Sequence, residues 1–169
     1  MPRYLLAIVL PNKLEIQLKQ IYQHTFHQPC PVRTLHCTLI PPFTFKNEFT
    51  QIATTSQLEK IPPPSHQFEF GTPNIFIPKL RQILFLPIVP AEPLRELYKE
   101  IIEIDASAIH IETNAFSNNL LPEFIPHITL HYNFEGQANQ LVMPEIKFNL
   151  PSPQILVETG PGIWDPYQA

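Results

Sequence analysis

Short apolar runs alternate with proline- and glycine-marked breaks along this chain, and their periods sort them into strands and helices. Tyr4–Leu10 is continuous and apolar, which predicts a buried strand. Asn12 with Glu15 three residues on resembles a capping box, and opens a helix whose Leu14, Leu18, Ile21 and Tyr22 form one apolar stripe. Leu35–Ile40 predicts a strand stopped by Pro41-Pro42, and Phe49–Leu58 predicts a short helix. Gln67–Gly71, Ile75–Ile77 and Gln82–Val89 read as three strands set apart by Gly71, Pro73 and Pro78. Pro93–Ile104 predicts the clearest helix, with proline near its start and Leu94, Leu97, Tyr98, Ile101 and Ile104 or Ile102 on its buried face. Ile109–Glu112 is expected as a strand and Thr113–Leu121 as a loop. Pro126–Asn133, Glu145–Asn149 and Gln154–Glu158 complete the strands. The expected class is therefore α+β, mostly antiparallel, with helices on the outer faces. No composition shift marks a linker, so residues 1–169 are expected to form one domain with room for two lobes.

Two of these runs say the same thing. Leu35-His36-Cys37-Thr38-Leu39 and Ile125-Pro126-His127-Ile128-Thr129-Leu130 each carry His-x-Thr-Leu. Successive strand side chains alternate between faces, so the His and Thr of each copy share a face while Cys37 or Ile128 takes the other. One His-x-Thr is ordinarily a strand histidine satisfied by a neighbouring hydroxyl. Two copies, each followed by Leu and well apart in the chain, argue for shared chemistry. If the two strands face each other across a groove, His36, Thr38, His127 and Thr129 converge. An unperturbed imidazole titrates near pH ~6.5, so one can accept a proton while the other donates one. The threonine hydroxyls can then donate to the oxygens where charge builds.

Composition narrows the target. Net charge is −4, and the 11 Lys and Arg form no basic stripe of the kind that holds long nucleic acid. Only 4 glycines are present, none in the strand-to-helix turn that a phosphate-cradling loop or dinucleotide fingerprint needs. Cys30 and Cys37 lack the spacing of a zinc site, and too few cysteines are present for a disulfide framework. His24 with His27, and His127 with His131, find no completing ligand, so neither metal nor cofactor is expected. The apolar start is short and broken by Pro11, which reads as a first strand and not a signal peptide. No run approaches the ~18 residues of a membrane span, and the expected location is the cytoplasm.

The duplicated motif resembles that of the 2H phosphoesterase superfamily, which includes 2′-5′ RNA ligase-like proteins and cyclic phosphodiesterases. Phe124-Ile125-Pro126-His127-Ile128-Thr129-Leu130 is especially similar to the aromatic-x-Pro-His-x-Thr-Leu stretch of that family. The order of elements also agrees over nearly the whole chain. The resemblance implies a bilobal α+β fold with a central cleft, and catalytic roles for His36, Thr38, His127 and Thr129. It implies metal-independent cleavage, or reverse ligation, of 2′,3′-cyclic phosphates or 2′-5′ linkages in small nucleotides or RNA ends. The expected working form is a monomer acting on such a terminus. The alternative is a nucleotide- or RNA-end-binding module that uses the same cleft without turnover. The chain departs from the family where His131-Tyr132 replaces a basic residue after the second motif, and where Ile40-Pro41-Pro42-Phe43 follows the first. His131, on the expected face of His127 and Thr129, is a candidate substrate contact. Phe43, Tyr132 and Trp164 are candidate base-stacking residues. Lys79 and Arg81 form the best-placed basic pair.

Overall fold

Strand β1 (Tyr4–Val9) is apolar on both faces because both are covered. Tyr4, Leu6 and Ile8 point into the main core, while Leu5 and Ala7 join a smaller cluster on the opposite face. The structure is a computed structural model that describes residues 2–58, 60–77, 81–105, 108–111 and 124–167. Within them the chain is α+β, with three helices and an open antiparallel sheet of ten strands. Helix α1 (Asn12–Phe26) follows β1 and lays Leu14, Leu18 and Tyr22 on its core face. Strand β2 is His36–Phe45 and helix α2 is Glu48–Leu58. Strands β3 (Gln67–Phe70), β4 (Asn74–Phe76) and β5 (Ile83–Val89) come next. Helix α3 (Glu92–Asp105) and strands β6 (Ile109–Ile111) and β7 (His127–Tyr132) follow. Strands β8 (Lys147–Asn149), β9 (Gln154–Gly160) and β10 (Ile163–Pro166) close the series.

The main path across the sheet is β10-β9-β1-β2-β7-β5-β3-β8, with β4 beside β5 and β6 beside β2. The two motif strands are thus central neighbours. Leu84, Leu86 and Ile88 of β5 and Ile128 and Leu130 of β7 join Leu94 and Ile101 of α3 in the same core. Burying each such side chain contributes roughly 1.5–3 kcal/mol.

Three sequence expectations change. Pro11 takes the helix N-cap position and Asn12 makes no side-chain cap there, so the predicted capping box does not form. Glu15 instead accepts the Leu35 backbone N–H at 3.3 Å and pairs with Lys19 at 2.6 Å, tying α1 to the approach of β2. Strand β2 is not stopped by Pro41-Pro42 but runs through them to Phe45. Its pairing with β1 slips between Leu6↔Ile40 and Tyr4↔Phe43, and prolines are tolerated where ladder hydrogen bonds are already interrupted. Residues Ile163–Pro166 form an edge strand on β9, beyond the last strand that the sequence predicts. The Thr113–Leu121 loop lies outside the described residues. No described helix is long and apolar enough to cross a membrane.

Candidate active site

Cys37 of β2 pairs with Ile128 of β7, and both are fully buried on the core side. Antiparallel continuation from that pair sets His36 across from Thr129 and Thr38 across from His127. The half-buried His and Thr side chains therefore share the opposite face, where the His36 imidazole is close enough to bear on the charge of His127. The quartet read from the sequence is brought together.

The two histidines are held alike. His36 Nδ1 lies 2.8 Å from the Thr34 carbonyl, and His127 Nδ1 lies 2.7 Å from the Ile125 carbonyl. A carbonyl only accepts, so each Nδ1 carries the proton, and Nε2 is the nitrogen left for a ligand. Burial pushes both imidazole pKa values below the ordinary value, partly offset by these carbonyls. Their charges are unequal. Glu15 draws His36 upward, whereas His127 is pushed down by His36. Among the described residues, no lysine or arginine acts on either ring.

The leucine that ends each motif has a structural role. Ala7 pairs with Thr38 and Leu6 with Ile40, leaving Leu39 as an extra residue in β2. Phe85 pairs with Thr129 and Leu84 with His131, leaving Leu130 as an extra residue in β7. A bulge resets the alternation of faces, so the residue after each leucine also turns toward the core. Ile40 is 1 % exposed.

For this reason His131 does not share the face of His127 and Thr129, as simple alternation predicts. Its Nδ1 lies 2.5 Å from the hydroxyl of Tyr22, a fully buried α1 residue, and its ring meets Phe134 edge-on. Tyr132 takes the vacated place. Its phenol lies beside the Thr129 hydroxyl, and withdrawal from solvent raises its pKa. Its ring edge stays open, with the residue 53 % exposed.

Of the other aromatic candidates, Phe43 is 0 % exposed and packed between Tyr4 and Phe45, so it is a core residue and offers no stacking surface. Trp164 is half-buried on the satellite cluster of Leu5, Ala7 and Leu156, with the Arg3 guanidinium 5.9 Å above its ring. Lys79 lies outside the described residues. Arg81 lines a surface pocket of about 460 Å³ with Gln82, Asn133 and Glu135, past the Tyr132 end of β7. His24 and His27 line a shallow depression on α1, and no three described His, Cys, Asp or Glu side chains converge as metal ligands.

Two residues beside the quartet escaped the sequence reading. Phe76 and Phe85 stack with centroids 3.8 Å apart and planes 8° from parallel. Both meet His127 edge-on, at 5.1 Å and 5.3 Å. The signal lay in β4 and β5 as a hairpin, which brings alternate residues of both strands to one face.

No protein-family model matches the chain, and no curated protein matches it as a relative.

Proposed function

We propose that the chain is a phosphodiesterase of the 2H kind, with a bilobal fold whose lobes meet at β2 and β7 around a cleft. Its expected substrates carry a 2′,3′-cyclic phosphate or a 2′-5′ linkage. The observation that carries this reading is the matched tethering of His36 and His127, each with Nδ1–H on the carbonyl two residues before it. A histidine needed only for packing has no cause to be duplicated with the same tautomer on the same face.

The reaction follows from that arrangement. One neutral imidazole takes a proton from water at Nε2 while the water oxygen bonds to phosphorus. The other, protonated, gives its Nε2 proton to the ribose oxygen as the P–O bond breaks. The product is a phosphomonoester with a free hydroxyl, and the two histidines have exchanged protonation states. Solvent returns them. Thr38 and Thr129 donate to the non-bridging oxygens, where negative charge grows. Tyr132, beside Thr129, orients that hydroxyl. Both proton transfers are supplied by side chains.

The test is incubation with adenosine 2′,3′-cyclic phosphate and with 2′-5′-linked oligoadenylate in the presence of EDTA. Turnover is expected in the wild type, with a loss of about 10²–10⁴-fold in His36→Ala and in His127→Ala, both still folded. Equal rates in either variant would refute the mechanism. Tight nucleotide binding without turnover would identify a binding module.

A further inference from the structure

Both motif histidines sit in the same backbone frame. Strand β1 leads into α1 and strand β5 into α3, and each of these strands flanks a motif strand, with Val9 paired to His36 and Pro87 to His127. The next residue, Leu10 or Ile88, donates its backbone N–H to the carbonyl just before the histidine, that of Leu35 at 3.0 Å or Pro126 at 2.9 Å. The carbonyl before that, of Thr34 or Ile125, holds the imidazole Nδ1–H.

One residue further back, the carbonyl is taken by a cation from the helix. Lys19 Nζ of α1 donates to the Arg33 carbonyl, and Arg95 Nε of α3 donates to the Phe124 carbonyl at 3.0 Å. Each cation also meets an acid of its own helix, Glu15 at 2.6 Å from Lys19 and Glu92 at 3.4 Å from Arg95. Two different side chains on two different helices thus reach the same place in the backbone. These carbonyls lie ahead of β2 and β7, where no strand ladder fixes the peptide planes.

The halves differ at one point, for a chemical reason. The peptide that holds the His36 Nδ1–H joins Thr34 to Leu35, and Leu35 is 0 % exposed, so its N–H needs an acceptor. Glu15 accepts it at 3.3 Å. The corresponding peptide joins Ile125 to Pro126, and proline has no N–H to satisfy.

We infer that Lys19 and Arg95 are positioning residues, one for each imidazole, which pin the carbonyl three residues ahead of His36 and of His127 so that the next carbonyl stays aimed at Nδ1. A chain released there can rotate its peptide planes, swing that carbonyl off Nδ1 and let the ring turn. Nε2 then leaves its line to the reacting phosphorus. The effect on rate rests on the phosphodiesterase reading, whereas the effect on the rings rests on the geometry alone.

The test compares wild type with Lys19→Met and Arg95→Met, which keep the stem and remove the donor. Lys19→Arg and Arg95→Gln restore one, since the Gln amide nitrogen stands as many bonds from Cα as the Arg Nε. Imidazole 15N NMR at about pH 8 reports which nitrogen of each neutral ring carries the proton. Lys19→Met should move His36 from Nδ1–H toward Nε2–H and leave His127 in place, and Arg95→Met should do the reverse. On adenosine 2′,3′-cyclic phosphate each Met variant should lose about tenfold in kcat with little change in KM, and the restoring variants should recover most of it. Rings unmoved in the Met variants, both rings moved alike by either one, or an unchanged kcat would overturn the inference. So would a Met variant that fails to fold while its restoring variant folds, because the contact would then support the chain and not the ring. A wild type without turnover would sink the phosphodiesterase reading instead, and the tautomers would still decide the positioning.

Discussion

Cys37 lies directly across from Ile128, the one register pair that joins β2 to β7, and both side chains are completely buried. The face that carries the quartet is thus aligned from behind by two buried apolar residues. Burial also pushes the Cys37 thiol up to about 12, so it stays protonated at neutral pH. Native protein should therefore react with a thiol-specific reagent at Cys30 alone, and urea should release the second thiol. Cys37→Ser places a hydroxyl where no water reaches, and should cost roughly 1–3 kcal/mol in chemical denaturation. Fast labelling of Cys37 in the native state would contradict this packing.

The threonines should separate from the histidines in their effect. Thr38→Val and Thr129→Val remove a donor to the phosphate oxygens but keep the shape, and each should lower kcat by about 10²-fold with smaller change in KM. Tyr132→Phe leaves the Thr129 hydroxyl without its orienting partner and should produce a milder kcat loss. If Tyr132→Phe equals Thr129→Val, the phenol itself contacts the phosphate.

Acid pH should affect activity and stability in opposite ways. The proposed catalysis needs one imidazole protonated and one neutral, and both pKa values lie below the ordinary 6.5. The free-enzyme profile of kcat/KM should therefore be bell-shaped with its maximum below pH 6.5. Stability runs the other way. Between the unfolded and folded pKa values the unfolded chain binds more protons, so folding free energy contributed by these groups is present above pH ~6.5 and lost as pH falls below it. The urea midpoint should drop over that window, and His36→Ala or His127→Ala should flatten the drop. A maximum of kcat/KM above pH 7 would count against the burial described for these rings.

Glu15 offers a way to move one histidine without touching the other. Its carboxylate accepts from Leu35 and raises the His36 pKa, and among the described residues no corresponding acid bears on His127. Glu15→Gln keeps an acceptor for the Leu35 N–H but removes the charge. Followed by NMR of the imidazole Cε1 protons, His36 should titrate at lower pH while His127 hardly moves. Equal shifts at both rings would show that Glu15 acts through the whole site.

Much of this was legible from periodicity. The quartet follows from strand alternation within each motif, and the α1 stripe of Leu14, Leu18 and Tyr22 follows from the 3.6-residue repeat. What escaped depends on pairing between distant segments. Nothing in Ile-Pro-Pro-Phe announces that β2 continues, because the partner strand supplies the slip that accommodates the prolines. Strand β10 is short, follows Gly160-Pro161-Gly162, and forms only because β9 presents an edge. The Phe76–Phe85 stack joins residues whose proximity is created by the β4–β5 pairing. The misplacement of His131 has a different origin. Leu130 is an ordinary β-strand residue, and its extra place appears only against Leu84 and Phe85.

That inserted leucine makes the makeup of the site a matter of chain length as well as residue identity. Removing Leu130 would restore strict alternation yet keep the phenol on the quartet's face, with His131 in the core-side place between Thr129 and Tyr132. A regular ladder that kept Leu130 would instead turn His131 to that face, so the bulge decides which ring stands there. An alignment that closes the gap at that leucine would compare His131 with residues that occupy a different side of the sheet.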